Sequence, residues 1–390
     1  MKDKRLKLLF ASDSFKGSLS SAETAVILEK AAKEVYGSCD CSSISVADGG
    51  EGTVEAVVSA VNGRIISAPV HDPLMKPITA SYGVIDGKKA VVEMASASGL
   101  PLVPVHLRNP LTTTTFGTGE LILHAIDSGY TDISIAIGGS ATNDGGMGCM
   151  RALGVRFLDS FGNELEGFGR DLEKVYDIDT SGIDKRLHDC RVTVMCDVRN
   201  PLCGDNGATN TFAEQKGADE QTRRRLESGM QNYREIIKRC TGVDCDAVEG
   251  AGAAGGLGAA LMVFCNGAMR SGIDTVLDLI NFDRRLEGVD LVVTGEGRAD
   301  WQSAFGKVMS GVGMRAKKNG IPAVGLCGSL GKGAIDIFDF GIDSLMTTVN
   351  APMTLDFALD NAEALYYEAA VRMFRLIQVG MRIGSKQNYK

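Results

Sequence analysis

Five stretches of the chain bring glycine together with side chains that bind ions or carry protons. They are Asp13-Ser-Phe-Lys-Gly-Ser18, Asp48-Gly-Gly-Glu-Gly-Thr53, Gly138-Gly-Ser-Ala-Thr-Asn-Asp-Gly-Gly146, Gly250-Ala-Gly-Ala-Ala-Gly-Gly-Leu-Gly258 and Gly295-Glu-Gly-Arg-Ala-Asp300. Phosphoryl transfer asks for such a set: backbone N–H groups and a cation for the phosphates, carboxylates for Mg²⁺, and a group to take the hydroxyl proton. Lys16 is the most suggestive cation, because it lies in a strand-end loop and not on a solvated helix face. The longest stretch, Gly138 to Gly146, follows Ile133, Ile135 and Ile137, whose alternation predicts a buried strand. A helical pattern resumes near Met150. Strand, glycine turn and helix N-terminus together predict an anion site made of unpaired N–H groups. The bland reading stands beside it: Asn143-Asp-Gly145 is ordinary turn chemistry, and acidic residues cap helices more often than they catalyse.

Two patterns of elements must hold these loops. Leu6–Ala11 predicts a first strand, and Ser20 with Glu23 a capping box that opens a helix whose Ala25, Leu28, Ala32 and Val35 share a face. Ser43–Val46 predicts a second strand, Val54–Val61 a helix, and Ile65-Ile66 the start of a third strand. The grammar then changes. Ile78–Ile85 and Ala90–Met94 flank Asp86-Gly87, which predicts a hairpin with a type I′ turn. Antiparallel pairing does not belong in a simple doubly wound sheet, so an insertion is expected, running through a strand at Val192–Val198 and a long polar helix around Gln221–Lys238. At Asp290 the first pattern returns, with strands at Leu291–Thr294, Ala323–Leu326 and Leu345–Val349 and a closing helix from about Asn361 to Ile377. The expected fold is α/β: a discontinuous Rossmann- or flavodoxin-like parallel-sheet domain of residues 1–68 plus 288–390, carrying a large inserted α/β domain at 69–287. Open parallel sheets bind ligands beyond the carboxyl ends of their strands, where most of these loops fall.

Composition narrows the classes. A chain of 390 residues that is 44% hydrophobic can fill two cores. Its net charge of −8 argues against a nucleic-acid partner, although a local basic site can sit on an acidic protein. No apolar run approaches membrane-spanning length. The ten cysteines form no CxxC pair and the four histidines are scattered, so structural zinc is not expected and a reduced, cytoplasmic protein is.

Gly250 to Gly255 matches G-x-G-x-x-G, but Val243–Glu249 ahead of it is polar, and no acidic residue stands where a ribose would need one. Small residues there can simply let a helix pack closely. Gly306-Lys307 and Gly331-Lys332 lack the Ser or Thr of a Walker A motif. If the chain handles ATP, it does so without a P-loop.

Further segments join the five: Glu93-Met-Ala-Ser-Ala-Ser-Gly99, Gly117-Thr-Gly-Glu-Leu121, Cys196-Asp-Val-Arg-Asn-Pro201 and Gln215-Lys-Gly-Ala218. In order and spacing, over nearly the whole chain, the set resembles the type I glycerate kinase family of bacteria. The resemblance implies ATP-dependent phosphorylation of D-glycerate on its 2-hydroxyl, giving 2-phosphoglycerate and ADP, with Mg²⁺ beside the ATP. Two departures are visible, Phe212-Ala-Glu-Gln215 for an expected Phe-Gly-Pro-Gln and Arg298-Ala-Asp300 for Arg-Leu-Asp, and both keep the polar groups.

Glycerate is a small anion, so on this resemblance Lys16 and Arg298 are expected to meet negative charge, and Asp197 or Asp300 to accept or orient the hydroxyl proton. Asp13, Asp48 and Glu296 are the candidate Mg²⁺ ligands, since Mg²⁺ takes one or two carboxylates together with phosphate oxygens. Gly138, Gly139, Ser140, Thr142 and Asn143, with Gly252, Gly255 and Gly256, are the candidates for holding phosphate or substrate. No nucleic acid and no membrane enter this reading, and a homodimer is left open. Two other classes stay open as well: a non-catalytic sensor of small hydroxy acids, and, with less support, a Rossmann-type oxidoreductase.

Overall fold

Leu8 and Phe10, two residues apart on one strand, meet Val293 and Leu326 in a single core, and this contact joins the two ends of the chain into one unit. The computed structural model describes residues 5–304 and 306–387. The chain divides into two units, one running to Asp48 and resuming at Ile273, the other Gly49–Gly272.

The first unit holds five parallel strands in the order Ser344–Thr347, Ala323–Cys327, Leu291–Thr294, Leu6–Phe10, Cys39–Ser43. Numbered along the unit's own chain, the order is 2-1-3-4-5, that of the flavodoxin-like doubly wound fold. Helices Ser21–Tyr36 and Ala362–Gln387 cover one face, sending Leu28, Ala32, Tyr366, Ala369 and Phe374 into the core. The first of them opens with the expected capping box, Ser20 Oγ accepting from the Glu23 N–H at 3.2 Å and the Glu23 carboxylate accepting from the Ser20 N–H at 2.8 Å. The strand order reverses between Leu6–Phe10 and Leu291–Thr294, and the carboxyl ends of these two strands are tied together. Asp13 N–H donates to Gly295 O at 2.9 Å, and the Thr294 hydroxyl donates to Ala11 O at 2.7 Å. Gly295 has to be glycine, for a Cβ there would lie 1.9 Å from the Leu326 carbonyl oxygen.

The second unit is built on a six-stranded mixed sheet. Ala268–Arg270, Arg191–Met195, Asp132–Ala136 and Lys89–Glu93 run parallel, and Pro77–Ile85 and Arg64–His71 continue the sheet antiparallel. The hairpin turn has Asp86 at φ 51° and Gly87 at φ 67°, the two positive values a type I′ turn requires. Buried Ile133, Ile135 and Ile137 join Leu121, Ile122, Met150 and Leu257 in the core of this unit.

The boundaries depart from the expected 68/69 and 287/288. Arg64–His71 does not return to the first sheet but pairs antiparallel with Pro77–Ile85 over its whole length. Its half-exposed alternation and its Pro69 suit an edge strand, whereas a strand inside a parallel sheet would be apolar on both faces. Helix Thr53–Val61 therefore belongs to the second unit, and residues 273–287 to the first. The second strand of the first unit is Cys39–Ser43, a few residues earlier than expected, and the closing helix reaches Gln387 rather than Ile377.

Candidate active site

In the first unit the candidate acids and cations collect on the loops that follow Leu6–Phe10, Leu291–Thr294 and the edge strand Cys39–Ser43. Asp13 is half-buried, and its Oδ1 accepts the Ser14 N–H at 2.7 Å. Burial pushes its carboxyl above the ordinary carboxylate range. The Ser14 N–H opposes that, the charge of Asp48 adds to it, and Lys16 and Lys307 subtract. Glu296 is buried, and its carboxyl is likewise raised by burial; a hydrogen bond from the Ser303 side chain opposes this first, Lys307 also lowers it, and Asp13 and Asp300 raise it. Its Oε1 is buried with no hydrogen-bond partner. Arg298 is exposed and lies 3.7 Å from the Asp300 carboxylate, whose Oδ1 accepts the Gln302 N–H at 3.0 Å. Lys16 is exposed on the turn that Phe15 and Leu19 close. Asp13, Asp48, Glu296, Lys16, Arg298 and Asp300 thus share one end of one sheet. Among the described residues no three His, Cys, Asp or Glu side chains are placed to cage a metal ion. An unpartnered carboxylate oxygen beside two other acids suits a cation that arrives with most of its ligands already on it, as Mg²⁺ does on a nucleotide.

In the second unit the Gly138–Gly146 loop is arranged otherwise than the sequence predicts. Helix Met147–Ala152 does start there, but the anion at its N-terminus is the chain's own Asp144. This fully buried carboxylate accepts the Thr115 N–H at 2.7 Å, the Thr115 hydroxyl at 2.8 Å, the Gly146 N–H at 3.1 Å and the Gly148 N–H at 3.2 Å. The helix at Thr53–Val61 is served in the same way, its Val54 N–H donating to the buried Glu93 carboxylate at 2.6 Å. Neither helix start is an open phosphate cradle.

What the loop leaves accessible lies before Asp144. Gly138 and Gly139 are exposed, and Gly139 takes φ 75°. Ser140, Thr142 and Asn143 are buried, and Thr142 Oγ1 and Asn143 Oδ1 have no hydrogen-bond partner, while Asn143 Nδ2 donates to Thr209 at 3.0 Å. The second glycine loop packs on the first: a Cβ on Gly255 would lie 2.2 Å from Thr142 O, one on Gly256 2.7 Å from Gly145 Cα, and one on Gly252 2.1 Å from Pro201 O. Gly145 N–H donates to Gly255 O at 2.9 Å. What the structure gives Gly252, Gly255 and Gly256 is close packing, and a short helical segment at Cys245–Ala247, not a strand, precedes them. Asp197 lies exposed beyond strand Arg191–Met195 and accepts the Gly272 N–H at 3.0 Å.

Residues 8–378 match the glycerate kinase family. The chain belongs to the glycerate kinase family. A glycerate 2-kinase of Escherichia coli (strain K12) is 46% identical over 97% of this chain and 99% of its own length. A glycerate kinase of Bacillus subtilis (strain 168) is 45% identical over 94% of this chain and 96% of its own. A crystal structure described as glycerate kinase 2 from Salmonella typhimurium LT2 superposes with a TM-score of 0.86 at 43% identity, covering 97% of this chain and all of that one.

For a glycerate kinase family member, two groups stand out that no role was expected for. Lys307 opens helix Val308–Lys318 and acts on both Asp13 and Glu296, although Gly306-Lys307 reads as a failed Walker motif. Lys216 is fully buried in the second unit, its ammonium donating to Ser140 Oγ at 2.8 Å and Thr142 O at 2.7 Å. Burial pulls Lys216 down to about 7, and Asp144 acts in the opposite direction. An unfolded lysine titrates near 10.5, so between these values the unfolded chain holds more protons and stability rises with pH. Relative to Lys216→Met, the wild-type chain is expected to gain roughly 2 kcal/mol of unfolding free energy from pH 7 to pH 9. Urea titrations of both proteins at the two pH values measure it, and a pH-independent difference would mean that the lysine folds fully charged.

Proposed function

We propose that the chain transfers the γ-phosphoryl group of ATP to the 2-hydroxyl of D-glycerate, releasing 2-phosphoglycerate and ADP. What carries the reading is the family match over nearly the whole chain together with acids and cations gathered at the strand-order reversal of the first unit. The E. coli relative's name specifies the 2-position.

In this reading Lys16, Arg298 and Lys307 meet the negative charge of phosphates and of the glycerate carboxylate. Glu296, Asp13 and Asp48 would hold Mg²⁺, the unpartnered Glu296 oxygen being the group that most needs a cation. When bound, Mg²⁺ neutralises charge on the phosphate oxygens. Asp197 or Asp300 takes or orients the hydroxyl proton, and the exposed Gly138–Gly139 backbone, with Ser140, Thr142 and Asn143 behind it, receives an anionic group. Gly252, Gly255 and Gly256 act by holding that loop in place. The ten cysteines are free thiols, which supports a reducing, cytoplasmic setting. Among the described residues no helix is long and apolar enough to cross a membrane.

The test is ADP release with Mg²⁺ and ATP across D-glycerate, L-glycerate, glycolate and lactate, with phosphorus NMR of the product. D-Glycerate is expected to turn over fastest and to give the 2-phosphate signal. Binding of D-glycerate without ADP release would favour a sensor, and a 3-phosphate signal would overturn the regiochemistry.

A further inference from the structure

Most lysines keep their amine in water, but Lys216 is 2% exposed and directs its amine at one loop, to a side-chain hydroxyl and a backbone carbonyl. Its place is fixed by the short turn Glu214–Lys216, which ends at Gly217 with φ 96°. A Cβ on Gly217 would lie 2.1 Å from Arg108 O, so the chain can reverse there only with glycine, and the reversal aims the lysine inward. The two acceptors it reaches, Ser140 Oγ and Thr142 O, are two residues apart on the loop that begins with exposed Gly138 and Gly139. On the same stretch Thr142 Oγ1 and Asn143 Oδ1 remain unpartnered, so the loop's polar groups are not simply spent on one another.

An amine with no contact to solvent does not serve solubility, and an apolar side chain of similar length would fill the same space without the cost of burying a polar, ionisable group. Such a cost is borne where geometry has to be held. Glycines at Gly138, Gly139, Gly145 and Gly146 make the loop floppy by composition, and Asp144 anchors only its distal half. The proximal half has Leu100 N–H on Gly139 O and Ala141 N–H on Ser98 O, both at 2.9 Å, and the Lys216 ammonium on Ser140 and Thr142, just past the glycines.

We propose that Lys216 is a positioning residue for phosphoryl transfer, tying Ser140 and Thr142 so that the Gly138–Gly139 backbone meets the reacting anion in one conformation. The inference rests on the proposed kinase reaction and adds to it a residue that touches neither substrate. Displacement of a loop by about 1 Å is enough to lower turnover about 100-fold while leaving the bound groups in reach.

The experiment compares the full-length wild type with Lys216→Met, Ser140→Ala and the double variant, using D-glycerate and Mg-ATP. Lys216→Met is expected to fold, to lose about 30- to 100-fold in kcat, and to change either KM by less than about threefold. The double variant is expected to be no worse than Lys216→Met alone, because the tie between the Ser140 hydroxyl and the lysine is already lost in that variant. Amide exchange should quicken in residues 138–142 and not in the strands of the same sheet. A folded Lys216→Met with kcat within threefold of wild type overturns the inference. If that variant does not fold, Lys216→Gln decides, a kcat within threefold of wild type overturning the inference and a lowered kcat with unchanged KM and quickened exchange at residues 138–142 supporting it. A wild-type chain that releases no ADP removes the kinase reading and this inference with it, whereas an active wild type with undiminished variants removes only the inference.

Discussion

Asp144→Ala is expected to lower the unfolding free energy by about 3–5 kcal/mol. The carboxylate is fully buried and accepts the Thr115 N–H, the Thr115 hydroxyl, the Gly146 N–H and the Gly148 N–H. Thr115 Oγ1 in turn accepts the Cys149 N–H at 2.9 Å, so the acid organises the start of helix Met147–Ala152 through a neighbour as well as directly. Removing it strands several donors that water cannot easily reach, each costing about 1–3 kcal/mol, partly recovered if a water enters the space left behind. Burial holds the Asp144 carboxyl above the ordinary range, so part of the loss is offset by no longer desolvating a charge. Urea unfolding measures the outcome. Asp144→Asn should fall between, since it keeps one acceptor oxygen and turns an NH₂ toward N–H donors. A loss under about 1 kcal/mol in Asp144→Ala would mean that the loop repacks around the lost side chain.

That same residue marks where reading the sequence stops. Strand Asp132–Ala136 and the helix after the glycines are legible, because isoleucines at every second position and the return of a helical pattern depend on neighbours along the chain. The occupant of the helix N-terminus is not legible, because a strand–glycine–helix pattern looks alike whether the anion is a phosphate or a side chain of the loop itself. Thr115, which orients Asp144, lies 29 residues away and becomes its neighbour only by tertiary folding.

Other departures have similarly local causes. Cys39–Ser43 is an edge strand with little buried surface, so it carries no apolar alternation and the prediction slides to Ser43–Val46. Ile65 and Ile66 read as the next strand of a βαβαβ run, yet the partner that claims them, Pro77–Ile85, comes later in the chain and pairs antiparallel. The parallel α/β class, in contrast, is legible from the alternation of strands and helices, whereas the order that separates flavodoxin-like from Rossmann-like winding is set by pairing between strands far apart in the chain. Of the candidate site, Asp13, Asp48 and Glu296 are legible as acids in loops that follow strands. Lys307 is not, because a Walker pattern tests only the residue after Gly-Lys and is blind to the carboxylates standing across from the lysine. Lys216 lies within Gln215-Lys-Gly-Ala218, one of the segments that carry the resemblance, but burial is a property of the fold and gives a lone lysine no signal in sequence.

Glu296→Gln is expected to reduce kcat/KM for D-glycerate by about 100-fold or more while leaving stability equal or higher at neutral pH. The side chain is buried beside Asp13 and Asp300, and its Oε1 has no partner. Burial raises its folded-state ionisation above the unfolded value of 4.5. The unfolded chain therefore gives up its proton first, and stability falls as pH rises through the interval between the two values. Glutamine does not ionise, so the variant escapes this penalty, and its advantage over wild type should appear above pH 4.5 and be absent well below it. The lost charge is what the proposed reaction uses, since a neutral amide offers a divalent cation on a nucleotide much less than a carboxylate does. Raising Mg²⁺ should restore part of the rate if the defect lies in holding the ion. Thermal unfolding at about pH 4 and pH 7 reads the stability limb, and ADP release across Mg²⁺ concentrations reads the catalytic one. A variant that keeps wild-type kcat/KM would take Glu296 out of the machinery, and one that unfolds at neutral pH would make its carboxylate a structural partner of groups such as Lys307.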